Sequence, residues 1–190
     1  MRKKILPFIF ILGLLYIILP GPTSVEDFSP LPQSAKSDEP GDTVQVPNIA
    51  AFFSFSKRAE ITEFYRQDYQ DSFIFGKFFP PLTLNYPPEE AKRMVRDQIY
   101  VTFMEEYVYP LRGSIFVGGY EPFVHNELLK APHNFVGDHV HINGVYYDSK
   151  TTLRFYPNNI IWRIFVYLAI WGLSISVFKI WRKSLQKEII

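Results

Sequence analysis

The sequence predicts an α+β fold: one extracytoplasmic domain with about two helices and an antiparallel sheet, flanked by two transmembrane helices. Three observations predict it. Apolar runs lie near both ends of the chain, each with most of its basic residues on the outer side. The stretch between them is acidic and carries both helical and strand-like patterns. Asn143-Gly144, between His-Val-His-Ile and Val-Tyr-Tyr-Asp, signals a two-residue hairpin and therefore antiparallel pairing.

Residues 1–22 read as an N-terminal transmembrane anchor. Arg2, Lys3 and Lys4 precede fifteen uncharged residues, 5–19, and Pro20-Gly21-Pro22 ends the run. A cleaved secretory signal has the same basic start and apolar middle. No A-x-A pattern follows, however, and Pro20 and Pro22 crowd the place where cleavage would occur. An uncleaved anchor is therefore expected, with Pro7 accommodated in its first turn.

Residues 23–47 read as a Pro-rich linker. They hold Pro30, Pro32, Pro40 and Pro47 among Ser, Asp, Glu and Gly, with few aliphatic residues, a composition that buries too little surface to fold alone.

Residues 48–157 read as the α+β domain. The run 49–55 suggests a strand, and Ser56 suggests an N-cap for a helix with Ile61, Phe64, Tyr65 and Tyr69 on one face. Residues 73–79 are strand-like or irregular and close at Pro80-Pro81; residues 82–84 suggest a short extended piece. A second helix is expected from Pro87-Pro88 to about Tyr107, because Ala91, Met94, Val95, Ile99 and Phe103 recur at helical spacing. Residues 112–117 suggest a strand closed by Gly118-Gly119, and 120–137 a long loop. The Asn143-Gly144 hairpin sets His141 opposite Tyr146 and His139 opposite Asp148, and a third strand over 151–156 would complete a meander.

Residues 158–181 read as the C-terminal transmembrane helix and 182–190 as a basic cytoplasmic tail. The uncharged block 164–178, extended by its apolar flanks, approaches the roughly 20 residues that cross a bilayer. Trp162 and Trp181 bracket it as interfacial aromatics do. Residues 156–159 leave a short joint, which implies a domain close to the bilayer with its last hairpin near the headgroups.

Charge sets the expected orientation. Residues 21–158 hold 12 Lys+Arg and 18 Asp+Glu, a net of −6, while the remaining 8 basic residues lie in the flanks beside the one acid Glu188. Positive-inside then predicts a cell-membrane protein with both termini cytoplasmic and residues 23–158 extracytoplasmic. The domain carries no basic patch to collect phosphates, so no nucleic-acid partner is expected. The absence of cysteine rules out disulfides and suits a prokaryotic cell envelope.

Candidate chemistry gathers at the histidines. His125, His133, His139 and His141 fall within 17 residues, and His139-x-His141 on a strand would present two imidazoles on one face. His139, His141, His125 and Asp148 are therefore candidate ligands for a divalent metal, against the plainer reading of a polar strand face. No H-E-x-x-H, G-x-S-x-G or P-loop pattern is present, so no catalytic residue or organic cofactor is assigned.

The aromatic clusters 52–55 and 73–79 are read as core, since a disulfide-free domain needs the burial. Exposed rings would instead mark a partner surface.

The function expected is that of an interaction or accessory domain presented by a double-anchored integral membrane protein. Its partners are the lipid bilayer and a membrane protein, met through the C-terminal helix (where Ala169, Gly172, Ser174 and Ser176 permit close packing) or through exposed aromatics. The alternatives are a membrane-tethered metal-dependent hydrolase using the region 125–141, and an extracytoplasmic sensor or ligand-binding domain.

Overall fold

The structure, a computed structural model, describes residues 2–87, 103–120 and 140–188. In chain order its elements are helix α1 (Arg2–Ile18), strands β1 (Ala35–Lys36) and β2 (Ile49–Ser54), helix α2 (Arg58–Asp71), strands β3 (Leu82–Tyr86), β4 (Phe103–Tyr109), β5 (Gly113–Tyr120), β6 (Val140–Ile142), β7 (Val145–Tyr147) and β8 (Ser149–Pro157), and helix α3 (Ile160–Glu188). They divide into two compact units, one of residues 21–157 and one of residues 1–20 with 158–190.

The first unit is built on a six-stranded antiparallel sheet in the order β1-β2-β8-β5-β4-β3. Alternation decides its two faces. Phe103, Tyr107, Ile115, Val117, Leu153, Phe155 and Phe52 point to one side and are buried. Helix α2 lies on that side, with Ile61, Tyr65 and Tyr69 at helical spacing and all buried. Tyr69 sits 5.8 Å from Phe28, 5.1 Å from Tyr109 and 6.3 Å from Phe155, ring centre to ring centre. Removing such a ring from water contributes about 1.5–3 kcal/mol, which lets a domain without disulfides hold together.

Helix α2 starts one residue later than Ser56 would place it. Lys57 is the N-cap position, and its N–H donates to the Glu60 carboxylate at 3.1 Å, so Glu60 and not a serine hydroxyl closes the first turn.

The Pro-rich stretch belongs to the packed unit. Val25, Phe28 and Leu31 are buried, β1 pairs with β2, and Asp42 accepts from Ser37 Oγ at 2.6 Å while Lys150 Nζ of β8 lies 2.7 Å from it. Proline removes backbone donors and lowers chain entropy, but does not prevent side chains between prolines from packing.

Three sequence expectations are corrected. The helix expected over residues 87–107 does not extend to its end, because residues from Phe103 onward form β4, paired with β3 on one side and β5 on the other. Residues 88–102 lie outside the described chain. The strand expected to stop at Gly118-Gly119 runs through both glycines to Tyr120. A Cβ on Gly119 would fall 2.3 Å from the Phe103 ring, so the glycine allows passage of a neighbouring aromatic and is not a breaker.

The third correction concerns the meander. β6 and β7 pair in the expected register, Val140 with Tyr147, His141 with Tyr146 and Ile142 with Val145. Positive φ at Asn143 and Gly144 matches the type I′ turn. But β6 and β7 form a sheet of their own, and β8 pairs with β2 and β5. The Asp148 N–H turns away to the Ser54 carbonyl at 3.0 Å. Nine residues of β8 then separate the hairpin from Pro157, about 27 Å at ~3.3–3.4 Å per residue, so the hairpin does not adjoin the joint to α3.

In the second unit α3 is the one described helix long and apolar enough to cross a membrane, over Ile160–Gln186. At ~1.5 Å per residue its 29 residues reach about 44 Å. Asn159 caps it, its side-chain oxygen accepting from the Ile161 N–H at 2.8 Å. Helix α1 is a shorter apolar helix and packs against α3. The Tyr167 hydroxyl donates to the Phe10 carbonyl at 2.8 Å, and Phe10 meets the rings of Tyr167 at 5.6 Å and Trp171 at 5.4 Å. Gly13 makes room for Tyr167, whereas the space over Gly172 is open.

Candidate functional site

Of the candidate metal ligands, His125 and His139 lie outside the described residues. His141 is in β6, opposite Tyr146. Asp148 follows β7 with its side chain exposed. Among the described residues no three His, Asp or Glu side chains converge on a point.

The densest polar group on the described core face lies where α2 meets β4. Glu105 and Tyr107 are two apart on β4 and therefore share a face. Arg58 Nη2 reaches Glu105 Oε1 at 3.2 Å and Asn85 Oδ1 at 3.4 Å, and its guanidinium lies 5.7 Å from the Phe103 ring centre. The Tyr107 hydroxyl donates toward the Thr62 carbonyl at 2.7 Å and lies 2.9 Å from Glu105 Oε2. Burial, and then the neighbouring Glu105 carboxylate, push the Tyr107 phenol well above its ordinary value, so it stays protonated and donates. This arrangement latches a helix to a sheet. Each polar atom named is engaged with another of the group.

On the opposite face Tyr86 donates to Glu106 at 2.5 Å, and this carboxylate with partial burial pushes the Tyr86 phenol up to about 12. Tyr86, Phe116 and Tyr156 form a row of rings 5.9 and 5.4 Å apart, with Arg154 4.9 Å from the centre of Tyr156.

The feature that stands apart from the packing is the loop after α2. The two aromatic clusters, both expected to be core, divide. Phe52, Phe53 and Phe73 are buried, whereas Phe55, Ile74, Phe75, Phe78 and Phe79 are exposed, Phe78 to 79 % and Phe79 to 61 %. Leu82 and Leu84, on the adjoining edge strand β3, are exposed as well. Large apolar side chains left exposed this close together in sequence make the loop a candidate contact surface.

The loop is held in shape locally. Phe73 is its buried anchor, packed on Tyr109 at 5.1 Å and under the Arg112 guanidinium at 4.3 Å. The Gly76 N–H donates to the Phe73 carbonyl, and the Phe78 and Phe79 N–H groups both donate to the Phe75 carbonyl. Gly76 is required, since a Cβ there would lie 1.8 Å from the Gln70 carbonyl oxygen. The exposed rings are thus presented by a folded loop and are not the tail of a frayed helix. A signal was present in the sequence: Ile74, Phe75, Phe78 and Phe79 on one side and Leu82 on the other flank Pro80-Pro81, where a core strand would not tolerate consecutive prolines.

No protein family matches the chain, and no curated protein or solved structure matches it.

Proposed function

We propose that the chain is a double-anchored integral membrane protein, both termini cytoplasmic, that presents its α+β unit outside the cytoplasm as an interaction or accessory domain. The observation that carries this reading is α3, a 29-residue helix whose apolar side chains are exposed along almost its whole length and which begins two residues after the last strand. Burial inside a soluble core would cover such a helix; lipid leaves it uncovered by protein. Helix α1 is the second span in this reading. Its 17 residues reach about 26 Å, short of a ~30 Å hydrocarbon layer, a mismatch that local thinning of the bilayer accommodates.

The natural chain has no cysteine, so single cysteines report topology directly. Expressed in bacterial cells, Tyr146→Cys is expected to react with a membrane-impermeant maleimide from outside. Lys4→Cys and Ser184→Cys are expected to react only after permeabilisation. Labelling of all three in intact cells, or of none before lysis, would overturn the topology. Crosslinking in those membranes tests the interaction role, which fails if monomer alone is recovered.

A further inference from the structure

We infer that the exposed apolar loop at residues 74–79, together with Leu82, seats in the interfacial layer of the bilayer that α3 crosses. This rests on the proposed anchoring and adds a second, peripheral point of attachment for the domain.

The argument begins with which end of the sheet the loop occupies. β8 ends at Pro157, which pairs with Gly113. Gly113 pairs in turn with Tyr109 at the end of β4, and one residue back Val108 pairs with Leu82 at the start of β3. The end of β8, the β4–β5 connection and the start of β3 therefore lie at one end of the sheet. The Tyr69 hydroxyl donates to the Gly113 carbonyl at 2.9 Å, bringing the last turn of α2 to the same end. Residues 74–79 connect that turn to β3, so both ends of the loop are fixed there.

Both points at which the unit joins the apolar helices are at this end as well. Pro157 is followed by only Asn158 and Asn159 before α3 begins. Gly21 lies against Arg112, since a Cβ there would fall 2.7 Å from the Arg112 guanidinium, and only Leu19 and Pro20 separate it from α1. A unit tethered through such short joints keeps that end at the membrane surface.

Composition fits a lipid interface. Within residues 72–87 the one charge is Lys77, whose stem can lie along apolar neighbours while its ammonium reaches phosphate headgroups. Phe75, Phe78 and Phe79 supply bulky rings and Ile74 and Leu82 aliphatic surface, the mix that partitions into the headgroup–acyl boundary. A second copy of the chain is the competing occupant.

The test uses the full chain reconstituted into vesicles of phosphatidylcholine and phosphatidylglycerol. Single-cysteine variants Lys77→Cys, Tyr146→Cys and Ile175→Cys carry an environment-sensitive dye, and a fraction of the lipid carries a spin-label quencher placed either near the headgroups or deep in the acyl chains. The Lys77 label is expected to be blue-shifted and to lose most of its emission to the shallow quencher. The Ile175 label is expected to respond to the deep quencher, and the Tyr146 label to neither. Adding Phe78→Ser/Phe79→Ser, at two exposed positions that leave the core intact, is expected to reduce quenching at Lys77 several-fold; unchanged quenching overturns the role of these rings. A Lys77 label that behaves like Tyr146 while Ile175 is quenched overturns the inference and leaves the anchor standing. A Lys77 label that is blue-shifted but not quenched by lipid reports burial against a second copy and also overturns it. Absence of quenching at Ile175 overturns the anchor, and the inference with it.

Discussion

Tyr107 and Thr62 tie the sheet to its helix: the phenol on β4 donates to the Thr62 carbonyl of α2 across 2.7 Å, with both residues buried. Thr62 lies inside α2, where the helical pattern already brings a donor to its carbonyl. Tyr107→Phe therefore leaves the Thr62 carbonyl its helical donor and Glu105 Oε1 its contact with Arg58, but takes the phenol from Glu105 Oε2, and is expected to cost about 1–2 kcal/mol. Denaturant unfolding of the full chain in detergent, followed by near-ultraviolet circular dichroism, measures it.

The same phenol makes the domain sensitive to alkali. Burial raises both Tyr65 and Tyr107 above the ordinary tyrosine value, and Tyr86 is raised to about 12 by its bond to Glu106. A raised folded value means that the unfolded chain loses the proton first. The stabilisation is thus fully present below pH ~10 and declines as pH rises above it, by about 1.4 kcal/mol per pH unit for each fully buried tyrosine. Unfolding midpoints measured from pH 8 to 11 in roughly half-unit steps are expected to be flat at first and then fall. Tyr107→Phe is expected to shallow the fall.

Gly119→Ala tests the close passage of β5 over Phe103. The added methyl would meet the ring at 2.3 Å and the Lys150 carbonyl oxygen at 3.0 Å, so one must move. Overpacking of this kind costs about 1–3 kcal/mol. Gly172→Ala, over which the space is open, is the contrast and is expected to leave the protein's thermal unfolding unchanged.

Pairing of α1 with α3 depends on Gly13 and Tyr167. Gly13→Leu is expected to part the helices, because even a Cβ there lies 2.4 Å from the Tyr167 hydroxyl. Spin labels at Leu12→Cys and Leu168→Cys should show a longer and broader distance distribution in that variant. Tyr167→Phe removes the bond to Phe10 and should have a smaller effect, on the order of 1 kcal/mol, the net value of a typical hydrogen bond.

Metal content separates the accessory role from the hydrolase alternative. The full chain and His139→Ala/His141→Ala, purified alike and dialysed against zinc, are expected to retain the same amount of zinc. Stoichiometric zinc in the wild type that is lost in the variant would favour the hydrolase reading.

What could be read locally held. The Asn143-Gly144 hairpin formed in its expected register, because a two-residue turn fixes pairing without help from elsewhere. Strand β2 and helix α2 fell where their patterns placed them, within a residue or two at the ends. The region 103–107 was misread for a definite reason. Phe103 and Tyr107 are four apart, a spacing that puts two side chains on one face in a helix and in a strand alike. Pairing with β3 and β5 decided between them, and those partners are distant in sequence.

The histidine candidates were legible as a cluster in sequence, but only His141 and Asp148 fall among the described residues, on either side of a hairpin. The exposed loop was the opposite case. Nothing in the ring count distinguishes Phe73, which is buried under Arg112, from Phe78, which is exposed five residues later.

By itself the sequence determined that the chain has an apolar C-terminal helix of spanning length, an acidic α+β stretch before it, and antiparallel pairing at Asn143-Gly144. These follow from local composition and period, which need no distant partner. Only the tertiary structure decided which strand β8 joins, that the Pro-rich stretch packs into the sheet, and which aromatic rings are left outside the core. Each of these depends on contacts between residues far apart in the chain, whose free energy exists only once the whole sheet is assembled.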